Sequence, residues 1–304
     1  MTLPVGIVEW FGYIVGSTSV MTDSAETGVP YDNGDNETYY IPESLTTLTL
    51  KSGTKGTSGT VGRNEFRGIP TLTTIVFDSI KEISSHAFAE CYSLTSVTFD
   101  SSLRKLGDNL FQGCSELTEL TVPSYVQSVS AGAFSGMSSL ESITLPFVGA
   151  MKTNEYKTPT ISSLSLTDDS MLLFGYVFEE SASGGAQGFY NVSQSASANS
   201  THTYLIPETL TSVTIQGGCV FRGAFMNANT LESVALTNVS YVETVAFDGV
   251  SALTSLTVDE ATWQVYDANG TTIKSYDGTT AANAAMMADN VLLDARSAYV
   301  WRKY

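Results

Sequence analysis

One pattern, L-x-x-[LIV]-x-[LIVF], occurs nine times in the 304 residues, starting at Leu45, Leu72, Leu94, Leu117, Leu140, Ile161, Leu210, Leu231 and Leu253. From Leu72 through Leu94 and Leu117 to Leu140 the starts are almost evenly spaced. A fixed period of roughly 20–50 residues means a solenoid, because each repeat buries its apolar edge only by stacking on its neighbours. Within one unit the apolar ladder is Leu94, Val97, Phe99, Leu103, Leu106, Phe111 and Cys114, before Leu117 opens the next. Alternation at the third and fifth positions after each Leu, in Thr-rich and β-branched company, reads as a short strand. The rest of each unit returns the chain, with Phe66, Phe88, Phe111, Phe134, Phe225 and Phe247 as its bulky column. Five or six buried apolar side chains per repeat, at roughly 1.5–3 kcal/mol each, stabilise it only when both neighbours are present.

The outward strand positions are regular too. Thr49, Thr98, Thr121, Thr144, Thr214 and Thr257 are expected to form a row on the exposed face, flanked by Ser96, Ser142, Ser212, Ser233 and Ser255. Thr suits a solvent-facing strand position for packing reasons alone. The other reading of the row is a hydroxyl-lined binding face.

The segments "ISSHAFAECYSLTSVTF", "LGDNLFQGCSELTELTVP" and "VSAGAFSGMSSLESITLP" resemble the BspA-type (Treponema-like) leucine-rich repeat. The likeness covers most of residues 41–166 and 205–258, column by column at a fixed period. It implies a right-handed, β-rich leucine-rich-repeat array with short strands on one face. It also implies a non-enzymatic, cell-surface or secreted bacterial protein, from a gut bacterium or a similar niche, with adhesion as its role. Ile69, Met137, Ala228 and Val250 replace Cys in the Cys column, so Cys is not required by the stack.

A longer period overlies the short one. Phe-Gly-Tyr recurs at Phe11 and Phe174, and "IPESLTTLTL" at Ile41 returns as "IPETLTSVTI" at Ile206. A block of about 160 residues therefore reads as copied in tandem. Leu3 precedes Phe11 as Leu166 precedes Phe174, which places Leu3 in a strand and suggests a chain that starts inside a repeat of a longer protein. Two inserts break the array, near 11–40 and 174–205, each opening on Phe-Gly-Tyr and closing on Ile-Pro. Loops this long in a compact array are functional or disordered, and the near-equal lengths suggest a shared local structure. Their tyrosines, Tyr13, Tyr31, Tyr39, Tyr176, Tyr190 and Tyr204 among them, resemble recognition-loop residues, which give contact area at low entropic cost. The alternative is that Phe11, Tyr13, Phe174 and Tyr176 anchor a tolerated insertion. The candidate binding surface is therefore those six tyrosines with Thr98, Thr121 and Thr144. Residues 1–258 are read as solenoid and 259–304 as a C-terminal cap, with a strand at Trp263–Tyr266 and a helix around Thr280–Leu293.

Catalytic and metal chemistry are absent from the pattern. The two histidines, His86 and His202, have no Cys or Asp partner at ligand or triad spacing and read as surface or turn residues. No H-E-x-x-H, phosphate loop or nucleophile elbow occurs. No catalytic, cofactor or metal site is expected. "YDNGDNE" at Tyr31–Glu37 and "TDDS" at Thr167–Ser170 could offer oxygens to calcium but read as solvated acidic turns. Cys91 and Cys114 share a column in adjacent repeats, so a bridge is geometrically possible, although buried free thiols suit the column better. The net charge of −17 opposes nucleic acid and anionic membrane as partners, and no apolar run reaches membrane-spanning length. The expected protein is an extracellular or cell-surface monomer without cofactor that binds a host or bacterial surface protein or glycan. Two other readings stand beside it. One is a structural spacer within a larger surface protein. The other is an accessory carbohydrate-binding module using aromatic platforms such as Trp10 and Trp263.

Overall fold

The computed structural model describes residues 2–5, 28–32, 38–52, 59–152, 168–180, 187–197, 200–243, 245–259, 261–266, 272–276 and 300–303. Its chain forms two compact units, Met1–Leu140 and Glu141–Tyr304. Both are β-solenoid, about eight turns in all, built mostly from parallel strands.

In the first unit the strands Thr2–Val5, Thr47–Ser52, Thr74–Asp78 and Ser96–Thr98 pair in parallel, one per repeat. Leu3 lies opposite Leu50, so it does occupy a strand. Inward and outward residues alternate: Leu48, Leu50, Ile75 and Phe77 are buried while Thr47, Thr98 and Thr121 are exposed. A second ladder of two-residue strands, Thr60–Val61, Glu82–Ile83, Lys105–Leu106 and Ser128–Val129, lines the return side of the same repeats.

Between the two ladders runs the phenylalanine column. Phe66 and Phe88 stack at 5.2 Å, and Phe88 and Phe111 at 5.8 Å. Each backbone N–H in the column donates to the residue before the next Phe: Phe66 to Ala87 (2.9 Å), Phe88 to Leu110 (3.1 Å) and Phe111 to Ala133 (2.9 Å). Turn backbone that would otherwise be orphaned in a core is thus satisfied by the neighbouring repeat.

All three cysteines are free and buried. Cys91 Sγ donates to the Phe66 carbonyl at 3.2 Å and Cys114 Sγ to the Phe88 carbonyl at 3.3 Å. Burial pushes the Cys91 thiol up to about 12 and the Cys114 thiol well above its ordinary value. Thiolates are the reactive species, so a disulfide-type thiol reagent is expected to label none of the three in the native protein and all three in denaturant. Rapid labelling without denaturant would contradict this arrangement.

In the second unit Ser142–Leu145, Ser212–Ile215, Ser233–Leu236 and Ser255–Val258 form the corresponding parallel ladder, in unbroken register. The return side pairs Gly218–Val220 with Val239–Glu243 in parallel. There the C-terminal segment enters. Val300–Lys303 lies antiparallel to Val239–Glu243 and to Trp263–Tyr266, which pairs in turn with Thr272–Tyr276. Trp263 and Trp301 are fully buried, and Lys303 Nζ closes on Asp259 at 2.6 Å. Antiparallel strands laid on the last return strands end the parallel repeat and cover an edge that would invite another chain. The strand expected at Trp263–Tyr266 is present; the helix expected around Thr280–Leu293 falls outside the described residues.

Candidate functional site

The departures from the repeat are built on hairpins. In the first insert Gly28–Asp32 pairs with Thr38–Pro42, setting Tyr31 opposite Tyr39. In the second, Phe189–Ser197 pairs with Ser200–Pro207, and Glu179–Glu180 flanks the latter strand. Both hairpins end on Ile-Pro in the same register, Val29 opposite Ile41 and Tyr190 opposite Ile206. The two hairpins are alike at the Ile-Pro end, and most of the remainder of the first insert lies outside the described residues.

The second hairpin is seated by the Phe-Gly-Tyr motif. Phe174–Val177 is a 3-10 turn. The Phe174 ring packs on Phe225 at 4.9 Å, Phe225 stacks on Phe247 at 5.0 Å, and the Phe174 N–H donates to the Ala224 carbonyl at 2.8 Å. Phe174 thus takes the place in the phenylalanine column that an ordinary repeat gives to its own Phe. Gly175 follows because the Tyr204 ring lies where its Cβ would stand. Its N–H donates to Gln194 Oε1 at 2.8 Å. Asn227 Nδ2 reaches the Ser193 carbonyl at 2.8 Å, and the Ser195 carbonyl presses on Gly223, whose φ is +66°.

Near the hairpin tip the structure groups side chains that the sequence reading took one by one. His202 lies 3.0 Å from Glu180 through Nδ1 and 3.1 Å from Asp169 through Nε2, with Asp168 Oδ1 at 3.9 Å. Asp169 Oδ2 also accepts from Ser197 Oγ (2.8 Å) and from Ser200 Oγ. Asp168 caps the 3-10 turn Asp169–Leu172 through the Ser170 N–H. His202 is therefore not the unpartnered turn residue that sequence spacing suggested, and within "TDDS" Asp169 is withdrawn from solvent, at 8% exposure, while Asp168 stays exposed. Folding of the hairpin brings together residues 33 and 22 positions apart, which no local motif records.

Burial opposes ionisation of Asp169, but hydrogen bonds from Ser200, Ser197 and His202 outweigh it and hold the carboxyl below its usual range. Burial likewise works against the His202 charge, and the contacts with Glu180 and Asp169 overcome it, so its pKa is raised. His86 goes the other way: burial first, then Arg63 and Arg67, lower it. Asp168, Asp169 and His202 each offer a ligand atom within 4.8 Å of the others. Those atoms already satisfy one another as an ion pair, and both ring nitrogens of His202 face carboxylates. No nucleophile contacts the ring among the described residues, so the group is not arranged as a hydrolytic triad.

The other candidate residues fall in different places. Tyr190 is 53% exposed on the hairpin, and Tyr176 is half-buried. Tyr204 is withdrawn from any surface: at 2% exposure its ring is packed against Gly175. Tyr13 lies outside the described residues, and of Tyr31 and Tyr39 only the backbone pairing is described. Thr98 and Thr121 are exposed in the first unit, and Thr144 is half-buried in the second. There Thr144, Thr214, Ala235 and Thr257 stand in one register row and Ser142, Ser212, Ser233 and Ser255 in another. Exposed Tyr92 and Tyr125, the latter under the Arg104 guanidinium at 5.9 Å, were not singled out in the sequence because each interrupts no pattern. Burial of Trp263 removes it as a carbohydrate platform; Trp10 lies outside the described residues.

A model of the BspA-type leucine-rich repeat region matches the chain in six copies, over residues 35–183 and 196–268. The chain belongs to the BspA-type leucine-rich repeat family. No curated protein matches it. Three solved leucine-rich-repeat structures are similar to this BspA-type protein. A Treponema pallidum leucine-rich repeat protein shares 16% identity, over 70% of this chain and 80% of that one, with a TM-score of 0.41. One from Bacteroides ovatus shares 18%, over 76% and 68%, with a TM-score of 0.29. A leucine-rich cell surface protein from Faecalibacterium prausnitzii shares 18%, over 72% and 61%, with a TM-score of 0.25. Among the described residues of the BspA-type chain no helix is long and apolar enough to cross a membrane.

Proposed function

We propose that this BspA-type protein is a non-enzymatic recognition module, surface-exposed or secreted by a bacterium, that binds a host or bacterial surface protein or glycan and so mediates adhesion. The observation that carries the reading is the outward strand face of the second unit. Its two register rows hold Ser, Thr and one Ala across four successive strands, with no charged side chain, in a chain whose net charge is −17. Hydroxyls kept free of charge over such an area supply regular hydrogen-bonding groups without charge repulsion of a partner. They also leave no basic surface for phosphate recognition. Exposed Tyr190 on the hairpin adds a second contact region.

A spacer role is favoured by the same regularity, since a plain stack holds other domains apart without any ligand. A binding screen separates the two. The chain is tested against mucins, matrix proteins, glycans and bacterial surface fractions. Beside it run a Thr144→Lys, Thr214→Lys double variant and a version with 16–36 and 181–200 replaced by short Gly/Ser links. Binding by the parent that falls at least tenfold in the lysine variant supports recognition by the strand face. Loss only in the link version moves recognition to the inserts. No binding by the folded parent leaves the spacer as the better reading.

A further inference from the structure

His202 carries the strongest unassigned feature, because of what its two nitrogens face. Carboxylates only accept hydrogen bonds, so contacts from Nδ1 to Glu180 and from Nε2 to Asp169 are both satisfied only when both nitrogens carry protons. A neutral ring has one lone pair, which would then point at one of these carboxylates. The two sides of the contact belong to different parts of the molecule. His202 rides on the hairpin, whereas Asp169 opens a turn whose Leu172 is buried with Cys219, Phe221 and Tyr241 of the array. The Ala150 N–H also fixes that turn by donating to the Met171 carbonyl at 2.8 Å.

We propose that the His202 imidazolium is a pH-operated latch, holding the tip of the second hairpin onto the solenoid when protonated and releasing it when neutral. The titratable groups facing it are Asp168 and Asp169 from the Asp169–Leu172 turn and its cap, Glu180 from the flanking strand, and Tyr204 on its own strand. Tyr176, Glu179 and Tyr190 are the other titratable side chains of the packed elements, and the residue directly opposite His202 on the hairpin is uncharged Gln194. The contacts beside and below His202 on the hairpin carry no ionisable side chain: the Phe174 ring lies on Phe225, Gly175 donates to Gln194 and Asn227 donates to the Ser193 carbonyl. The release is therefore local to the tip. Because the folded pKa is raised, the latch is fully closed below the free-imidazole value. It is lost as pH rises through the folded value.

The protein contains only two histidines, so one NMR titration reads both, with His86 as internal control. His202 is expected to titrate above 6.5 and His86 below it. In parallel, hydrogen-exchange protection at Ser195–Ser197 and Ser200–Thr201, corrected for base catalysis, should fall as pH passes the His202 midpoint. The total fall is about tenfold for each unit by which that midpoint exceeds ~6.5. Protection at Phe225 and Ala246 should stay constant, which verifies that the array is intact. In His202→Gln the tip protection should lose its pH dependence, and in Asp169→Asn the His202 midpoint should drop back toward the free-imidazole value. A His202 midpoint at or below that value would overturn the latch, as would an unchanged protection profile in His202→Gln. Loss of tip protection on adding EDTA in mildly acidic buffer would also overturn it, by showing that Asp168, Asp169 and His202 hold a divalent cation instead of a proton.

Discussion

Replacing Phe88 by Ala should lower the stability of the first unit by about 3–5 kcal/mol, the range for removing a fully buried aromatic ring from a packed core. Phe88 has no exposed surface and touches three rings, Phe66 at 5.2 Å, Phe111 at 5.8 Å and Phe77 edge-on at 5.6 Å. Its loss strands the side chains on both sides, since each repeat rests on the one before and after. The backbone gives little room to close the gap, because the Phe88 N–H is held by Leu110 and its carbonyl by Cys114. Urea unfolding of the parent, Phe88→Ala and Phe88→Leu measures this, with the leucine variant losing clearly less. An outward substitution such as Thr98→Ala should stay within about 0.5 kcal/mol. A Phe88→Ala effect no larger than that control would show that the column does not carry the stack.

Gly223→Ala should cost about 3 kcal/mol for two separable reasons, backbone strain and a steric clash. The residue has φ +66° and its N–H donates to the Val245 carbonyl at 3.2 Å. A Cβ in left-handed backbone costs on the order of 1–3 kcal/mol. The added Cβ would also meet the carbonyl of Ser195, and that is backbone, not a side chain free to rotate. Either the hairpin or the turn must shift, with a cost of about 1–3 kcal/mol typical of overpacking. Gly223→Asn distinguishes the two, since Asn tolerates left-handed backbone but still carries a Cβ. If Asn is nearly as damaging as Ala in chemical denaturation, the contact with Ser195 dominates. If Asn restores most of the stability, the backbone angle does.

Leu72, Leu94, Leu117 and Leu140 made the array legible because burial in a stack has to recur once per turn, and so even a recurrence survives in the sequence. The outward Ser and Thr rows were legible for the same reason, since a strand alternates its faces with period two. Phe174 was not, because the whole hairpin excursion separates it from Phe225 and hides a contact that elsewhere spans one repeat. The grouping of Asp169, Glu180 and His202 was closed to inspection because only the pairing of the hairpin strands brings them together. Tyr204 was misread by composition. A Tyr in a Ser- and Thr-rich segment looks like a recognition residue, yet it shares the inward hairpin face with buried Val192 directly opposite.

The place that Phe174 occupies in the column has a consequence for how such chains diversify. The stack is indifferent to how much chain lies between one Phe and the next, provided both rings arrive in phase. Entropy of closing a longer excursion grows slowly, by about 0.6 kcal/mol for each doubling of its length. A module that re-enters its own column before leaving it can therefore exchange or lengthen the excursion while the scaffold on either side keeps its spacing. Phe174-Gly175-Tyr176 and Ile206-Pro207 are then the two points that any change in the length of the second excursion must leave in place.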